Sequence, residues 1–231
     1  MGKSLVIIGN GQFPVTEYPV YKIRSADYII CCDGALGTFM RKRAGLGKTL
    51  PDVIIGDMDS LVPDVLAGIM DSVPEDERRT LEKRLVHIEE QENNDQTKAF
   101  IYAMENFKDI DAIHIVGATG LREDHTIGNM SLLMEYTRMY DLDSLGITID
   151  MISDYSTIFP IKDSISLTIG KGRNISIFSP DNSLKIKSQG LIWPVDNVVF
   201  DNWWKASLNR ASENEIKLTF NHPSIALIVL E

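Results

Sequence analysis

Two short stretches carry residue types suited to metal and phosphate chemistry. In Gly56-Asp57-Met58-Asp59-Ser60 two carboxylates stand one residue apart, directly after the apolar run Val53-Ile54-Ile55. If the backbone stays extended there, both side chains point to the same side and two like charges are held close together. A divalent cation relieves that repulsion: Mg²⁺ takes carboxylate oxygens and completes its octahedron with phosphate oxygens. The same Asp-x-Asp also reads as a loop bearing two solvated acids. In the second stretch, Gly117-Ala118-Thr119-Gly120 forms a flexible turn, and Arg122, Asp124 and His125 follow just ahead of a helix. An arginine fork grips phosphate oxygens, and a helix N-terminus adds its positive dipole end. Asp124 could serve as that helix's cap, but capping does not account for Arg122 and His125 beside it.

Further candidates lie at similar places. Asp33 and Gly34 follow the apolar run over 27–32, and Asp95 follows the polar segment 89–94. Asp95 also reads as the N-cap of a helix over 96–106. Gly9-Asn10-Gly11, after the apolar run over 5–8, either brings backbone N–H groups to a phosphate or makes a plain turn. Lys98 falls one turn into the helix after Asp95, where a cation opposes the helix dipole. Helix stability therefore does not explain it, and contact with a phosphate or pairing with a site carboxylate does; the rival is a lysine bent to solvent. His87 reads as a packed strand residue. No Gly-x-Ser-x-Gly is present, both cysteines lie inside an apolar run, and the four histidines lack zinc-ligand spacing, so acyl transfer and a zinc site are poorly supported.

The elements that must hold these residues follow from periodicity. Apolar runs at 5–8, 27–32, 53–55, 85–88 and 112–116 read as strands, separated by helical stretches at 36–44 (ending at Gly45), from Pro74, at 96–106 and at 126–140. Repeated strand–loop–helix units imply an α/β domain with a mainly parallel sheet and flanking helices over residues 1–154, which gathers the acids at one sheet edge. Beyond it, short alternating runs at 157–159, 165–169, 174–178, 184–186 and 225–230, punctuated by turns, read as an antiparallel β-sandwich or roll over 155–231. A net charge of −10 argues against a nucleic-acid surface. No stretch approaches the roughly 20 apolar residues of a membrane span, and the N-terminal run is too short for a signal peptide. Cys31 and Cys32 read as reduced and buried, and a cytoplasmic enzyme is expected.

Together, Cys32-Asp33-Gly34-Ala35, Pro51-Asp52 with Gly56-Asp57-Met58-Asp59-Ser60, Asp95-Gln96-Thr97, and Gly120-Leu121-Arg122-Glu123-Asp124-His125 with Asn129 resemble the thiamine pyrophosphokinases (thiamine diphosphokinases) in order and spacing. Gln189-Gly190-Leu191-Ile192-Trp193-Pro194-Val195 looks like that family's Gly-Leu-x-Tyr-Pro-Leu segment, and Ala206-Ser207-Leu208-Asn209 like its Gly-Thr-Ser-Asn. The resemblance implies transfer of the pyrophosphoryl group of ATP to the hydroxyl of thiamine, giving thiamine diphosphate and AMP. It implies Mg²⁺, and a homodimer with thiamine bound where two subunits meet. By position, it makes Asp57, Asp59 and Asp95 the metal and phosphate carboxylates, and sets Arg122 and Asp124 in the catalytic site. Asn10, Asp33, Gly34, Ser60, Thr97, Lys98, Gly117 and His125 would line the nucleotide site, and Asp124, Asn129, Trp193, Ser207 and Asn209 the thiamine site. Two departures stand out: Lys98 replaces an Asp that the family carries after Asp-x-Thr, and Leu208 replaces a Ser. Two other functions share the same carboxylate edge. A pyrophosphokinase acting on a hydroxymethyl pterin would differ in its acceptor, and a nucleotide or thiamine sensor would release no AMP.

Overall fold

The computed structural model describes residues 2–58 and 63–231, with the side chains of 63–65 excepted. The chain forms two compact units, Met1–Asn129 with Leu142–Asp154, and Met130–Asp141 with Tyr155–Glu231. In chain order the first stretch of elements is β1 (Lys3–Ile8), α1 (Glu17–Ser25), β2 (Tyr28–Cys32), α2 (Ala35–Leu46), β3 (Val53–Gly56), α3 (Pro63–Asp71), α4 (Glu75–Lys83), β4 (Leu85–His87), α5 (Asp95–Asn106), β5 (Ile110–Val116), α6 (Glu123–Met139), α7 (Leu142–Leu145) and β6 (Thr148–Ile152).

Within the first unit the strands lie in the order β6-β5-β1-β2-β3-β4, and each neighbouring pair is parallel. Residues Leu5 to Ile8 are all fully buried, as a strand covered on both faces requires. Val6 and Ile8 pack with Ile23 of α1, Ile29 and Cys31 of β2 and Phe39 of α2. Ile54 of β3 packs with Leu36, Met70 and Leu81 from three helices. Cys31 and Cys32 are buried free thiols, and burial pushes both well above their ordinary titration range. After β1 the chain winds outward through β2, β3 and β4; after α5 it returns to the other side of β1 as β5. The C-terminal ends of β1 and β5 therefore meet where the winding reverses, the crevice at which open α/β sheets bind ligands.

Several boundaries differ from expectation. The helix expected to stop at Gly45 runs to Leu46, and Gly47 takes the left-handed conformation (φ +65°) with its N–H on Ala44 O. Lys48 N–H reaches Arg43 O, which closes a Schellman-type end. Gly45 is thus an interior helical glycine, and the second glycine is the stop. His87, expected to be packed, is exposed because β4 is the sheet edge. The polar stretch after Pro63 holds a helix, α3, that charge pattern alone did not indicate. Among the described residues no helix is long and apolar enough to cross a membrane.

The second unit contains β7 (Thr157–Ile161), β8 (Ile165–Thr168), β9 (Asn174–Phe178), β10 (Ile186–Gln189), β11 (Asn209–Arg210), β12 (Glu215–Phe220) and β13 (Ala226–Leu230). The orders β11-β9-β13-β7 and β10-β12-β8 are antiparallel throughout. Ile175, Ile177 and Ile228 from one set share a core with Ile186, Ile216 and Leu218 from the other. A polar knot secures the turn after β9. The Asp181 carboxylate accepts from Ser183 Oγ (2.6 Å), Ser224 Oγ (2.7 Å) and His222 Nε2 (3.0 Å). These donors hold Asp181 well below the usual carboxylate range. A carboxyl depressed on folding contributes stability that is complete above its unfolded pKa, about 3.9, and is lost as pH falls below that toward the folded value. Asp181→Asn should lower the melting temperature at neutral pH and flatten the acid limb of its pH profile. Calorimetry between about pH 2 and pH 7 checks this; a mutant profile parallel to wild type would refute it.

Candidate active site

A cleft of about 750 Å³ opens at the crevice between the ends of β1 and β5. One side is the pair of turns Gly9-Asn10-Gly11 and Gly117-Ala118-Thr119. Gly11 N–H donates to Gly117 O (2.6 Å) and Gln12 N–H to Thr119 O (2.8 Å), so the turns are stitched together. Neither glycine tolerates a side chain: a Cβ on Gly9 would sit 2.8 Å from Gly117 O, and one on Gly117 2.7 Å from Gly9 O. The Asn10 side chain lies over Gly34 so closely that a Cβ at Gly34 would collide with it.

The opposite side is acidic. Asp33, almost wholly buried, leaves β2 and accepts from the Gly34 N–H. Asp57 leaves β3 and accepts from Gln91 Nε2 (2.9 Å). Asp95 opens α5 beside them. A Cβ on Gly56 would stand 2.9 Å from Asp33 Cβ and 3.1 Å from Asp95 Oδ1, so the missing side chain is what lets these two acids close over the strand end. Burial raises Asp95 to about 6, aided by the negative charges of Asp33 and Asp57 and a hydrogen bond with Asp33, against the pull of Lys98. Lys98 is buried, with Nζ 3.8 Å from Asp95 Oδ1. A lysine bent to solvent is therefore overturned.

Asp95 is not the helix cap. Asn94 is: its Oδ1 accepts the Thr97 N–H (3.0 Å), and its Nδ2 donates to Asn129 Oδ1 (2.8 Å). Asn129 Nδ2 in turn donates to Ala118 O (2.8 Å), tying α5, α6 and the β5 turn together. With capping done by Asn94, the Asp95 carboxylate is released toward Asp33. Arg122 forks onto Asp124 (Nε–Oδ1 3.1 Å, Nη2–Oδ2 2.5 Å), and Asp124 Oδ1 also accepts the His125 N–H (2.9 Å). Both side chains are more than 60% exposed (69% and 64%). An ion pair this exposed is screened by solvent and contributes little, so the fork is free to open when another anion competes for it.

Of the residues singled out in sequence, Asn10, Asp33, Asp57, Asp95 and Lys98 line the cleft, as do Gly117, Arg122, His125 and Asn129. Gly34, Thr97 and Asp124 do not; they support neighbours that do. Asp59 and Ser60 lie outside the described residues, and among the described ones no group of three or more His, Cys, Asp or Glu is arranged to hold a metal. Trp193, Ser207 and Asn209 belong to the second unit. There, buried Asn209 clamps the Trp193 backbone (Nδ2 to O 2.6 Å, N to Oδ1 3.3 Å) and leaves the indole 58% exposed. Leu208 beside it is left-handed (φ +58°) and 79% exposed. Gln91, Asn94 and the space over Gly56 went unrecognised in sequence. An Asn just ahead of an Asp–x–Thr helix start was a usable cap signal, whereas nothing local pointed to Gln91.

A crevice at a parallel-sheet switch point, lined by strand-end acids and stitched glycine turns, lies where open α/β sheets bind their ligands. Residues 21–143 match the family model described as thiamin pyrophosphokinase, catalytic domain, and residues 157–225 match thiamin pyrophosphokinase, substrate-binding domain. The chain belongs to the thiamin pyrophosphokinase family, a family of kinases, and is an enzyme on that ground. Its fold is similar to the crystal structure of thiamine pyrophosphokinase from Bacillus subtilis (21% identity, 99% of each chain covered, TM-score 0.73). It is also similar to yeast thiamin pyrophosphokinase (18% identity, 100% of this chain and 87% of that one, TM-score 0.73). A third likeness is to a thiamin pyrophosphokinase family protein from Enterococcus faecalis (18% identity, 99% of each chain, TM-score 0.72). A search of curated proteins by sequence returns no match.

The carboxylate pair generates a direct test. Asp33→Asn removes a like charge and changes the shared hydrogen bond, so Asp95 should move from about 6 down toward the ordinary carboxylate range. Carboxyl NMR titration of the metal-free protein measures it, and an unmoved Asp95 would mean that burial alone sets its value.

Proposed function

We propose that the protein is a thiamine pyrophosphokinase, moving the pyrophosphoryl group of ATP as a unit onto the hydroxyl of thiamine and releasing AMP. The observation that carries this reading is the crowding of Asp33, Asp57 and Asp95 at one strand edge, opposite the stitched glycine turns, in a chain of this family. By type, though not as a preassembled cage, the donors suit a divalent cation: Asp33, Asp57 and Asp95 offer hard carboxylate oxygens to the same cleft. Asp57, with Asp59 two residues on and Asp95 beside it, would hold Mg²⁺, which when bound offsets negative charge on the phosphates.

The chain's own groups do the positioning. The Gly9–Gly11 and Gly117–Thr119 turns, whose glycines carry no side chain, would let a phosphate chain approach the backbone closely. Arg122 exchanges its exposed Asp124 partner for phosphate, a planar fork suited to two oxygens. On the acceptor side, Asn209 fixes Trp193 so that the indole face stays available to the cationic thiazolium ring. Ser207 and Asn209 are the polar groups of the second unit that we assign to thiamine.

The functional test follows AMP release from ATP with thiamine and Mg²⁺. Wild type should release AMP in step with thiamine diphosphate. Asp57→Asn or Asp59→Asn should lose at least about a hundredfold in kcat, about 2.7 kcal/mol, while remaining folded. Near wild-type turnover in either folded mutant would remove the central assignment. AMP release with a hydroxymethyl pterin instead of thiamine would redirect the acceptor, and no AMP with any acceptor would make the protein a sensor.

We also propose a homodimer with thiamine at the subunit boundary. Ile192, Trp193, Trp203, Trp204 and Leu208 are exposed on two segments of the second unit that Asn209 joins, a concentration of apolar surface that a partner would cover. Light scattering at assay concentration should give twice the chain mass of 25.9 kDa; an active monomer would refute it.

A further inference from the structure

Away from the residues that line the cleft, three polar side chains meet between the sheet and α1. His114 of β5 and Asp150 of β6 stand opposite each other in the parallel register, and His114 Nδ1 lies 2.7 Å from Asp150 Oδ1. Nε2 of the same ring lies 3.3 Å from the ammonium of Lys22 on α1. An ammonium offers donors only, so Nε2 accepts and Nδ1 carries the ring proton toward the carboxylate. His114 is buried, while Lys22 is only partly covered and open to solvent. Lys3 and Lys162 meet carboxylates, and Lys48 and Lys108 meet backbone carbonyls. Those oxygens are poor bases at neutral pH, whereas imidazole takes and releases protons there. A cation in the last turn of α1 suits the helix dipole. That accounts for the charge at Lys22 but not for the imidazole set against it.

We propose that Lys22 is a site of covalent acylation: its amine takes the acyl group of a small activated donor, an acyl phosphate or an acyl thioester, with His114 as general base and Asp150 orienting the imidazole. This stands apart from the ATP-dependent reading above. Nucleophile, base and orienting carboxylate follow one another in hydrogen-bonded order, the arrangement that activates a side-chain nucleophile. Lys22 yields one proton to Nε2, which frees its lone pair to bond the acyl carbon. The C–O bond to phosphate, or the C–S bond to the thiol, then breaks and its electron pair leaves with the phosphate or thiolate. The second nitrogen proton departs through Nε2 in turn, and each passes on to water or to the leaving group. The product is an amide at Nζ, and nothing is oxidised or reduced. Asp150 offsets the charge on the ring while it holds a proton. The half-exposed Tyr18 ring, 5.5 Å from Nζ, favours the charged amine and opposes the step only weakly.

The experiment incubates the intact chain with acetyl phosphate and, separately, with acetyl coenzyme A, and reads the initial acetylation rate at each lysine by peptide mass spectrometry. With at least one donor, Lys22 should outpace the exposed Lys83, Lys171 and Lys187 by about tenfold or more. The donor that gives the larger ratio identifies the acyl source as phosphate or thioester. His114→Gln should bring Lys22 down to the rate of the exposed lysines and leave those rates unchanged. Asp150→Asn, which keeps the side-chain shape but removes the carboxylate charge, should slow Lys22 several-fold. Should His114→Gln fail to fold, the Asp150 variant, at a partly exposed position, carries the same test. A Lys22 rate no higher than that of the exposed lysines with both donors would overturn the assignment. So would an unchanged Lys22 rate in either folded variant, which would leave the three side chains as a tie between α1 and the sheet.

Discussion

Like charges held together at a sheet edge are the condition that everything else in the first unit serves. Asp33 and Asp57 leave neighbouring parallel strands, and Asp95 is brought over them by the helix that follows the edge strand. Even at the effective dielectric of a protein surface, two such charges about 4 Å apart repel by about 4 kcal/mol. Folding into that arrangement is possible because the strands beneath are buried on both faces and leave the chain no other register. It also needs Gly56, whose lack of a side chain leaves room for Asp33 and Asp95. Part of the repulsion is relieved inside the protein by the hydrogen bond between Asp33 and Asp95 and by the nearby charge of Lys98.

Much of the first unit was legible because a strand buried on both faces writes itself as an unbroken apolar run. Leu5 to Ile8, Ile29 to Cys32 and Val53 to Ile55 gave strand positions, and parallel connections then put Asp33, Asp57 and the Gly117 turn on one edge. Legibility failed where two residues competed for one role. Gly45 and Gly47 both offered a helix stop, and only the second could take the left-handed conformation with Lys48 reaching back to Arg43. In the second unit β12 escaped notice although Ile216, Leu218 and Phe220 alternate inward with polar residues outward; Lys217 and Thr219 diluted the apolar signal. The strand expected over 184–186 begins pairing only at Ile186, because Leu184 is held by the Asp181 turn.

The start of α5 shows how a shift of one residue changes chemistry. Had Asp95 capped the helix, its carboxylate would have been spent on backbone N–H groups and would not bear on Asp33. Asn94 takes that duty with a neutral side chain and uses its amide for Asn129 as well. A helix that begins with an acid inside its cap presents that acid sideways, and Lys98, one turn on, falls on the same side. Spacing in sequence thus located the right residues, while the direction each one faced depended on which neighbour satisfied the backbone.

The stitched turns after β1 and β5 have a mechanical consequence. Gly9 and Gly117 approach so closely that each backbone blocks the other from moving inward, and the hydrogen bonds from Gly11 and Gln12 stop them from separating. That side of the crevice behaves as an anvil: it neither yields to an arriving ligand nor follows it out. Among the described residues the segment over 89–93 is tied to the strand ends more lightly, Gln91 reaching Asp57 through one exposed amide.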